Sequence, residues 1–271
     1  SQRFMYRNHA RFTVRFGGQL GFSNRTTRRF VRIDECMLMS PNINETLACL
    51  QDKCSETTNV SIRCGINTGQ LLIQPTLRHV DIELESGQKF YQEELLGRTF
   101  RIGSPSFFQV NTVQAGELVE LIRRRIGLSG KELLVDAYAG VGVFAALLAP
   151  ESRRVIAIEE SAAAIQDAIS GNSDLLNVEY MHGKTEEILG QLTEEPDVLI
   201  LDPPRRGCHP EALRAVLKVR PAKLAYVSCD PASLARDLDI LVSGGYSLND
   251  VDPIDLFPQT YHIEAVATLV S

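Results

Sequence analysis

ELLVDAYAG (132–140) running into VGVFAALLA (141–149) is the stretch that decides the fold of this 271-residue chain. The first segment reads as a buried strand that ends on Asp136 and breaks into a glycine turn. The second reads as the helix that follows it. The same rhythm repeats outward. RVIAIEE (154–160), VEYMHGK (178–184), DVLILDPP (197–204) and KLAYVSCDP (223–231) are further strands, and HIEAVATLV (262–270) is the last. Helical segments are predicted between them at 161–171, with Ser161 as N-cap, and at 185–194, 209–218 and 232–243. Apolar strands alternating with helices predict an α/β unit whose mostly parallel sheet is covered on both faces.

Upstream the texture differs. FTVRF (12–16) alternates apolar and polar residues before Gly17-Gly18, LGFSN runs to another turn, and VRIDECMLM (31–39) reads as a strand leading into Ser40-Pro41. Residues 41–53 have helical spacing with Ile43, Leu47 and Leu50 on one face, while 60–67, 70–77 and the stretch around 89–102 look like strands. The predicted organisation is a small α+β domain with an antiparallel sheet over 1–98, followed by the α/β domain over 99–271.

Composition is that of an ordinary globular protein, with 44% hydrophobic and 23% charged residues and no apolar run long enough to span a membrane. No charged-then-apolar leader opens the chain, which predicts a cytoplasmic location, and the first residue, Ser1, predicts a trimmed chain or a fragment. The net charge of −6 hides an asymmetry. Arg3, Arg7, Arg11, Arg15, Arg25, Arg28, Arg29 and Arg32 fall within residues 1–33 with no acid among them, so that segment carries +8 and the remainder −14. A cationic end on an acidic body is the footprint of a face that meets phosphate, although charge runs are more often simply solvated. The six cysteines form no C-x-x-C pair; no metal site is expected, and a monomer is the default.

In open α/β sheets ligands sit beyond the carboxyl ends of the strands, so the residues there are the site candidates. Gly140-x-Gly142-x-x-Ala145 fits a loose dinucleotide fingerprint, and Glu159 at the next strand end suits a ribose diol. NAD and S-adenosylmethionine share that ribose. Asp136 and Tyr138 before the glycines favour S-adenosylmethionine, because a carboxylate there suits a cationic amino-acid tail. The structural alternatives are core packing for Tyr138 and a helix N-terminal acid for Glu159. Asp202-Pro203-Pro204-Arg205 reads as a rigid ledge beside the cofactor, or as a plain proline turn. Cys229 ends a strand and opens a helix, with Asp230 as cap and Pro231 at the first helical position, a setting that lowers a thiol pKa. Glu264 is an acid within an apolar strand and the candidate base, with His262 two residues away and given no part in proton transfer.

Seven stretches together resemble one family: YRNHARF, SFFQVN (106–111), DAYAGVGVF (136–144), VIAIE (155–159), DPPRRG (202–207), YVSCDPASLARDL (226–238) and LFPQTYHIEAV (256–266). In this order, across nearly the whole chain, they are similar to the RNA uracil-C5 methyltransferases. The resemblance implies a Rossmann-like S-adenosylmethionine-dependent domain with a doubly wound sheet, preceded by a small central domain that contacts RNA. It implies Cys229 as nucleophile and Glu264 as base. Gln109, Tyr138, Gly140, Glu159 and Asp202 fall to cofactor binding, Val143 to the lining of the same pocket, and Arg205 to orienting the RNA. Uracil C5 is too poor a nucleophile to attack a methyl sulfonium unaided. A thiolate adding at C6 makes C5 carbanion-like, and a base then removes the C5 proton. The target base must leave its stack to be reached, which unpaired RNA makes cheaper.

Two departures stand out. Nothing matches the N-terminal TRAM barrel that many members carry. Cys36 resembles the last of four cluster-binding cysteines whose other three have no counterpart here, so no iron–sulfur cluster is expected. The motif also reads SCDP where SCNP is common, and Asp230 would raise the thiol pKa slightly. Ribosomal RNA is favoured slightly over transfer RNA as substrate. Competing readings are a non-covalent RNA or protein N-methyltransferase, a non-catalytic RNA-binding module with this fold, and, as an outsider, a nicotinamide oxidoreductase.

Overall fold

The computed structural model describes residues 2–271, which divide into two compact units. One comprises the chain up to Ser104 together with Gln109–Val113; the other comprises Pro105–Phe108 and Gln114–Ser271.

The first unit is built on a five-stranded antiparallel sheet ordered β3-β2-β1-β4-β5. Its strands are β1 (His9–Arg15), β2 (Gln19–Ser23), β3 (Phe30–Arg32), β4 (Asn59–Cys64) and β5 (Leu71–Gln74). Alternation decides the faces: Ala10, Phe12 and Val14 of β1 are buried with Leu20, Ile62 and the apolar stripe Ile43, Leu47 and Leu50 of helix α1 (Pro41–Leu50). The odd-numbered residues His9, Arg11, Thr13 and Arg15 therefore occupy the opposite face, where Arg11 pairs across to Ser61 and Thr13 to Asn59. Strand β3 stops at Arg32, although a strand over 31–39 was expected. The Asn44 side chain of α1 takes both backbone groups of Cys36 (3.0 and 3.1 Å), which satisfies them without a partner strand. Strands β6 (Phe90–Leu95) and β7 (Arg98–Gly103) form a separate hairpin.

The second unit carries a seven-stranded sheet ordered β10-β9-β8-β11-β12-β14-β13. Strands β8 (Leu133–Ala137), β9 (Arg154–Glu159), β10 (Val178–His182), β11 (Val198–Leu201) and β12 (Lys223–Ser228) are parallel. The side chains of β8 and β11 are buried throughout, as a sheet covered on both faces demands. Strands β13 (Ser247–Ile254) and β14 (Glu264–Val270) close the sheet, with β14 antiparallel to both β12 and β13. The connecting helices are α2 (Thr112–Ile126), α3 (Val143–Leu148), α4 (Ala162–Gly171), the single turn α5 (Thr185–Ile188), α6 (Pro210–Val219) and α7 (Pro231–Ser243). Strand order reverses direction between β8 and β11, and a crevice at such a switch point is where open α/β sheets hold ligands.

Two elements had no counterpart in the sequence pattern. Helix α2 buries Leu118, Val119, Ile122 and Ile126, but its run of three arginines masks the period. Strand β13 is a polar edge strand, SLNDVDPI, held to α2 by Arg125, which bonds Asp252 at 2.7 and 2.8 Å. The helix expected over 185–194 is only α5 and a 3-10 turn at Leu189–Gln191. Among the described residues no helix is long and apolar enough to cross a membrane.

Candidate active site

Three carboxylates end three adjacent strands of the second unit. Asp136 belongs to β8, Glu159 ends β9, and Asp202 follows β11. Asp136 is fully buried; its Oδ2 accepts from Ala145 N (2.8 Å) at the start of α3, while its Oδ1 is buried with no hydrogen-bond partner among the described residues. Burial, and then the charges of Asp202 and Glu159, push the Asp136 carboxyl up to about 8. Burial alone pushes Asp202 up to about 7. Glu159 is held from two sides, by Gly140 N at 2.8 Å and Ser161 N at 2.7 Å. Gly140 takes a φ of +56°, and a Cβ there would meet nothing within 4 Å, so it is the turn's backbone that calls for glycine.

Tyr138 also has a positive φ, +67°, a conformation that costs a bulky residue about 1–3 kcal/mol and tends to persist only at functional sites. Its side chain lines an open cleft together with Ile158, Lys184, Pro204 and Arg206.

Cys229 and Glu264 meet at the other end of the switch. Strand β12 ends in register with the start of β14, Ser228 opposite Ala265, so the next step of the ladder sets Cys229 opposite Glu264. Glu264 is only 3% exposed, and burial followed by the charge of Asp202 pushes its carboxyl up to about 8. The Cys229 thiol is pushed above its ordinary range by burial and by Glu264, against a downward pull from a hydrogen bond with Arg205. The helix N-terminus was expected to lower this thiol. Asp230 does cap α7 as expected, its Oδ1 accepting from Ser233 N at 2.8 Å, but partial burial beside a second acid outweighs that setting. Arg205 Nη2 also lies against the His262 ring.

A family model described as tRNA (Uracil-5-)-methyltransferase matches residues 194–271, the segment holding Asp202, Cys229 and Glu264. An uncharacterized RNA methyltransferase of Thermosynechococcus vestitus is 34% identical over 99% of this chain and 72% of its own length. The chain belongs to the RNA (uracil-5-)-methyltransferase family. A second uncharacterized RNA methyltransferase, from Gloeobacter violaceus, is 38% identical over 81% of this chain, which spans 47% of that relative's length. Among solved structures, the tRNA (uracil-54, C5)-methyltransferase of Pyrococcus abyssi in complex with S-adenosyl-L-homocysteine superposes with a TM-score of 0.82. It is 25% identical and is matched over 99% of this chain and 77% of its own.

The residues of this methyltransferase fit S-adenosylmethionine, the family's methyl donor. That molecule carries a sulfonium and an ammonium, and the switch point offers Asp136 with an unpartnered oxygen and two further acids whose mutual repulsion a cation relieves. Of the residues singled out from sequence, the second unit gathers Tyr138, Gly140, Glu159, Asp202, Cys229 and Glu264 at the carboxyl ends of its strands and the adjoining ladder end. Val143 opens α3 beside them. Gln109 falls in the first unit, where its backbone carbonyl accepts from Asn8 Nδ2 at 2.9 Å. What the sequence reading missed is a buried polar cluster behind the site. Tyr226 OH donates to Asp237 Oδ2 (2.5 Å), which also accepts from Cys208 N (2.8 Å). Its signal was present in ASLARDL, where Ser233, Arg236 and Asp237 share one helix face.

Proposed function

We propose that the chain transfers a methyl group from S-adenosylmethionine to C5 of a uridine in RNA, with Cys229 as nucleophile and Glu264 as base. The observation that carries this reading is the ladder end that sets a thiol opposite a buried carboxyl. A non-covalent N-methyltransferase has no use for that pairing.

The proposed sequence balances as follows. The Cys229 thiol loses its proton to solvent water and the thiolate adds to uracil C6, opening the C5–C6 double bond into an enolate. S-adenosylmethionine, when bound, would supply an electrophilic methyl to C5, its methyl–sulfur bond breaking to leave a neutral thioether. Glu264, ionised, takes the C5 proton; the C5–C6 double bond re-forms and the C6–S bond breaks, returning the thiolate. Arg205, whose positive charge pulls the thiol downward in pKa, stabilises the thiolate before attack and after release. Tyr138, Gly140, Glu159 and Asp202 of the second unit hold the donor, and the family resemblance adds Gln109. The open face of the first unit's sheet, with Arg11 and Arg15 exposed beside Thr13 and Asn59, contacts RNA phosphate.

The test is RNA carrying 5-fluorouridine, in which the C5 fluorine blocks the final proton loss. With S-adenosylmethionine a denaturation-resistant adduct is expected with the native chain and none with Cys229→Ala. A Cys229→Ala protein that still methylates overturns the assignment. Ribosomal RNA, slightly favoured on sequence, and transfer RNA, named in the family description, are the two substrates the assay compares.

A further inference from the structure

The loop that follows β11 carries Asp202 and Arg205, and its backbone is fastened at three places by one face of helix α7. Ser233 Oγ lies 3.0 Å from Arg205 O, a proton it shares with Asp230 O at 3.1 Å. Arg236 Nη2 donates to Arg206 O at 2.8 Å. Asp237 Oδ2 accepts from Cys208 N at 2.8 Å. These side chains stand at i, i+3 and i+4, the spacing that puts residues on one side of a helix.

The fastening is itself anchored. Asp237 is fully buried; its Oδ2 also accepts from Tyr226 OH of β12 at 2.5 Å, and its Oδ1 accepts from Arg236 Nε at 2.8 Å. Gly207 is the one loop residue of the stretch facing this cluster without a side chain. Its φ is +79°, and a Cβ there would lie 2.4 Å from Arg236 Nη2 and 2.5 Å from Asp237 Oδ2. The loop therefore approaches α7 closely enough to leave no room for a methyl group.

Cys229 immediately precedes Asp230, the N-cap of the same helix, whose carbonyl shares the Ser233 hydroxyl with that of Arg205, and the Arg205 guanidinium pulls the Cys229 thiol downward in pKa. We propose that Ser233, Arg236 and Asp237 are positioning residues. They bolt the Arg205 loop to the helix that presents Cys229, so that guanidinium and sulfur move as one body. The inference rests on the reading of Cys229 as nucleophile for its relevance to catalysis, but its geometry stands without it.

Its consequence is a change in thiol reactivity without contact with the thiol. Site-resolved alkylation of Cys229 by iodoacetamide, followed by peptide mass spectrometry across pH 6–10, measures this on the full chain with no RNA or cofactor. In Asp237→Asn the midpoint of the profile is expected to rise by about 1 pH unit, so the rate below both midpoints falls about tenfold. The double variant Ser233→Ala/Arg236→Ala removes the two outer fastenings while sparing the buried carboxylate, and is expected to shift in the same direction if Asp237→Asn fails to fold. Asp239→Asn, exposed on the other side of α7, is expected to leave the profile unchanged. A folded double variant with the native alkylation profile overturns the proposal. Loss of methylation with an unaltered profile overturns it too, because it assigns the cluster to scaffolding alone. Failure of the nucleophile reading is seen separately, as methylation surviving Cys229→Ala.

Discussion

Ser228 and Ala265 are the last paired residues where β12 meets β14, and the step beyond them brings Cys229 and Glu264 to the same edge of the sheet. The pairing is antiparallel, so the end of one strand and the beginning of the other share a place although the two groups lie 35 positions apart in sequence. The carboxylate also raises the thiol's barrier to ionisation, because two negative charges at one ladder end repel.

Replacing Glu264 by Gln keeps the shape and removes the proposed base. On the proposed mechanism Cys229 is expected still to add to the ring and C5 still to be methylated, but the C5 proton has nowhere to go. A denaturation-resistant RNA adduct is expected to accumulate with ordinary uridine, while turnover falls about 10²–10⁴-fold, the usual worth of a general base. Gel retardation after denaturation, beside a methyl-incorporation assay, reads both.

The pH–rate profile is expected to rise from about pH 6.5 to about 9 and not to fall across neutrality. Glu264, pushed up to about 8, must be ionised to accept a proton, and the thiol beside it is pushed up as well. Because the two interact, the rise reports apparent values of the pair. Single-turnover methylation at saturating RNA measures it, and in Cys229→Ser the profile is lost with the activity.

Stability without ligand should decline with rising pH, opposite to a protein held by paired acids. Asp136 and Glu264, each near 8 in the fold, and Asp202, near 7, bind protons more tightly folded than unfolded. Their contribution is complete below an ordinary carboxyl pKa of about 4 and is lost as pH rises through about 7–8. Asp136→Asn keeps an acceptor for Ala145 N and removes one titration. Between about pH 5.5 and 8.5 urea unfolding is expected to show a loss on the order of 1–3 kcal/mol smaller in the variant than in the native chain.

Reversing charge on the open sheet face should weaken RNA binding without touching the chemistry. For Arg11→Glu/Arg15→Glu, anisotropy titrations are expected to give lower affinity and a shallower dependence of log K on log salt. The slope falls by about 1 for each phosphate that is no longer neutralised. Alkylation of Cys229 is expected to be unchanged. An unaltered salt slope would remove this face from the RNA interface.

Much of the second unit was legible in the sequence. Strands such as LLVDA and VLIL are buried on both faces, so their apolarity is a local property of the chain. The acids at their ends stand out against that background, as do the glycines that follow. Elements whose stability lies in a partner were not legible. Strand β13 is polar and exists because β14 supplies its ladder and Arg125 its charge partner. The turn after β3 replaces an apparent strand because Asn44, from α1, satisfies Cys36. Gln109 was expected within the α/β domain over 99–271, yet it belongs to the first unit.

Sequence alone determined the class of fold and singled out the strand ends and the two residues proposed as nucleophile and base, since apolar periodicity is local and the motifs around those residues resemble one family. Only the tertiary structure decided that β14 runs against β12 and so delivers Glu264 to Cys229. It also decided that burial beside Glu264 lifts the thiol its helix was expected to lower, and that α7 grips the Arg205 loop through Asp237. Strand direction, desolvation and side-chain reach are set by neighbours distant along the chain, and no local pattern encodes them.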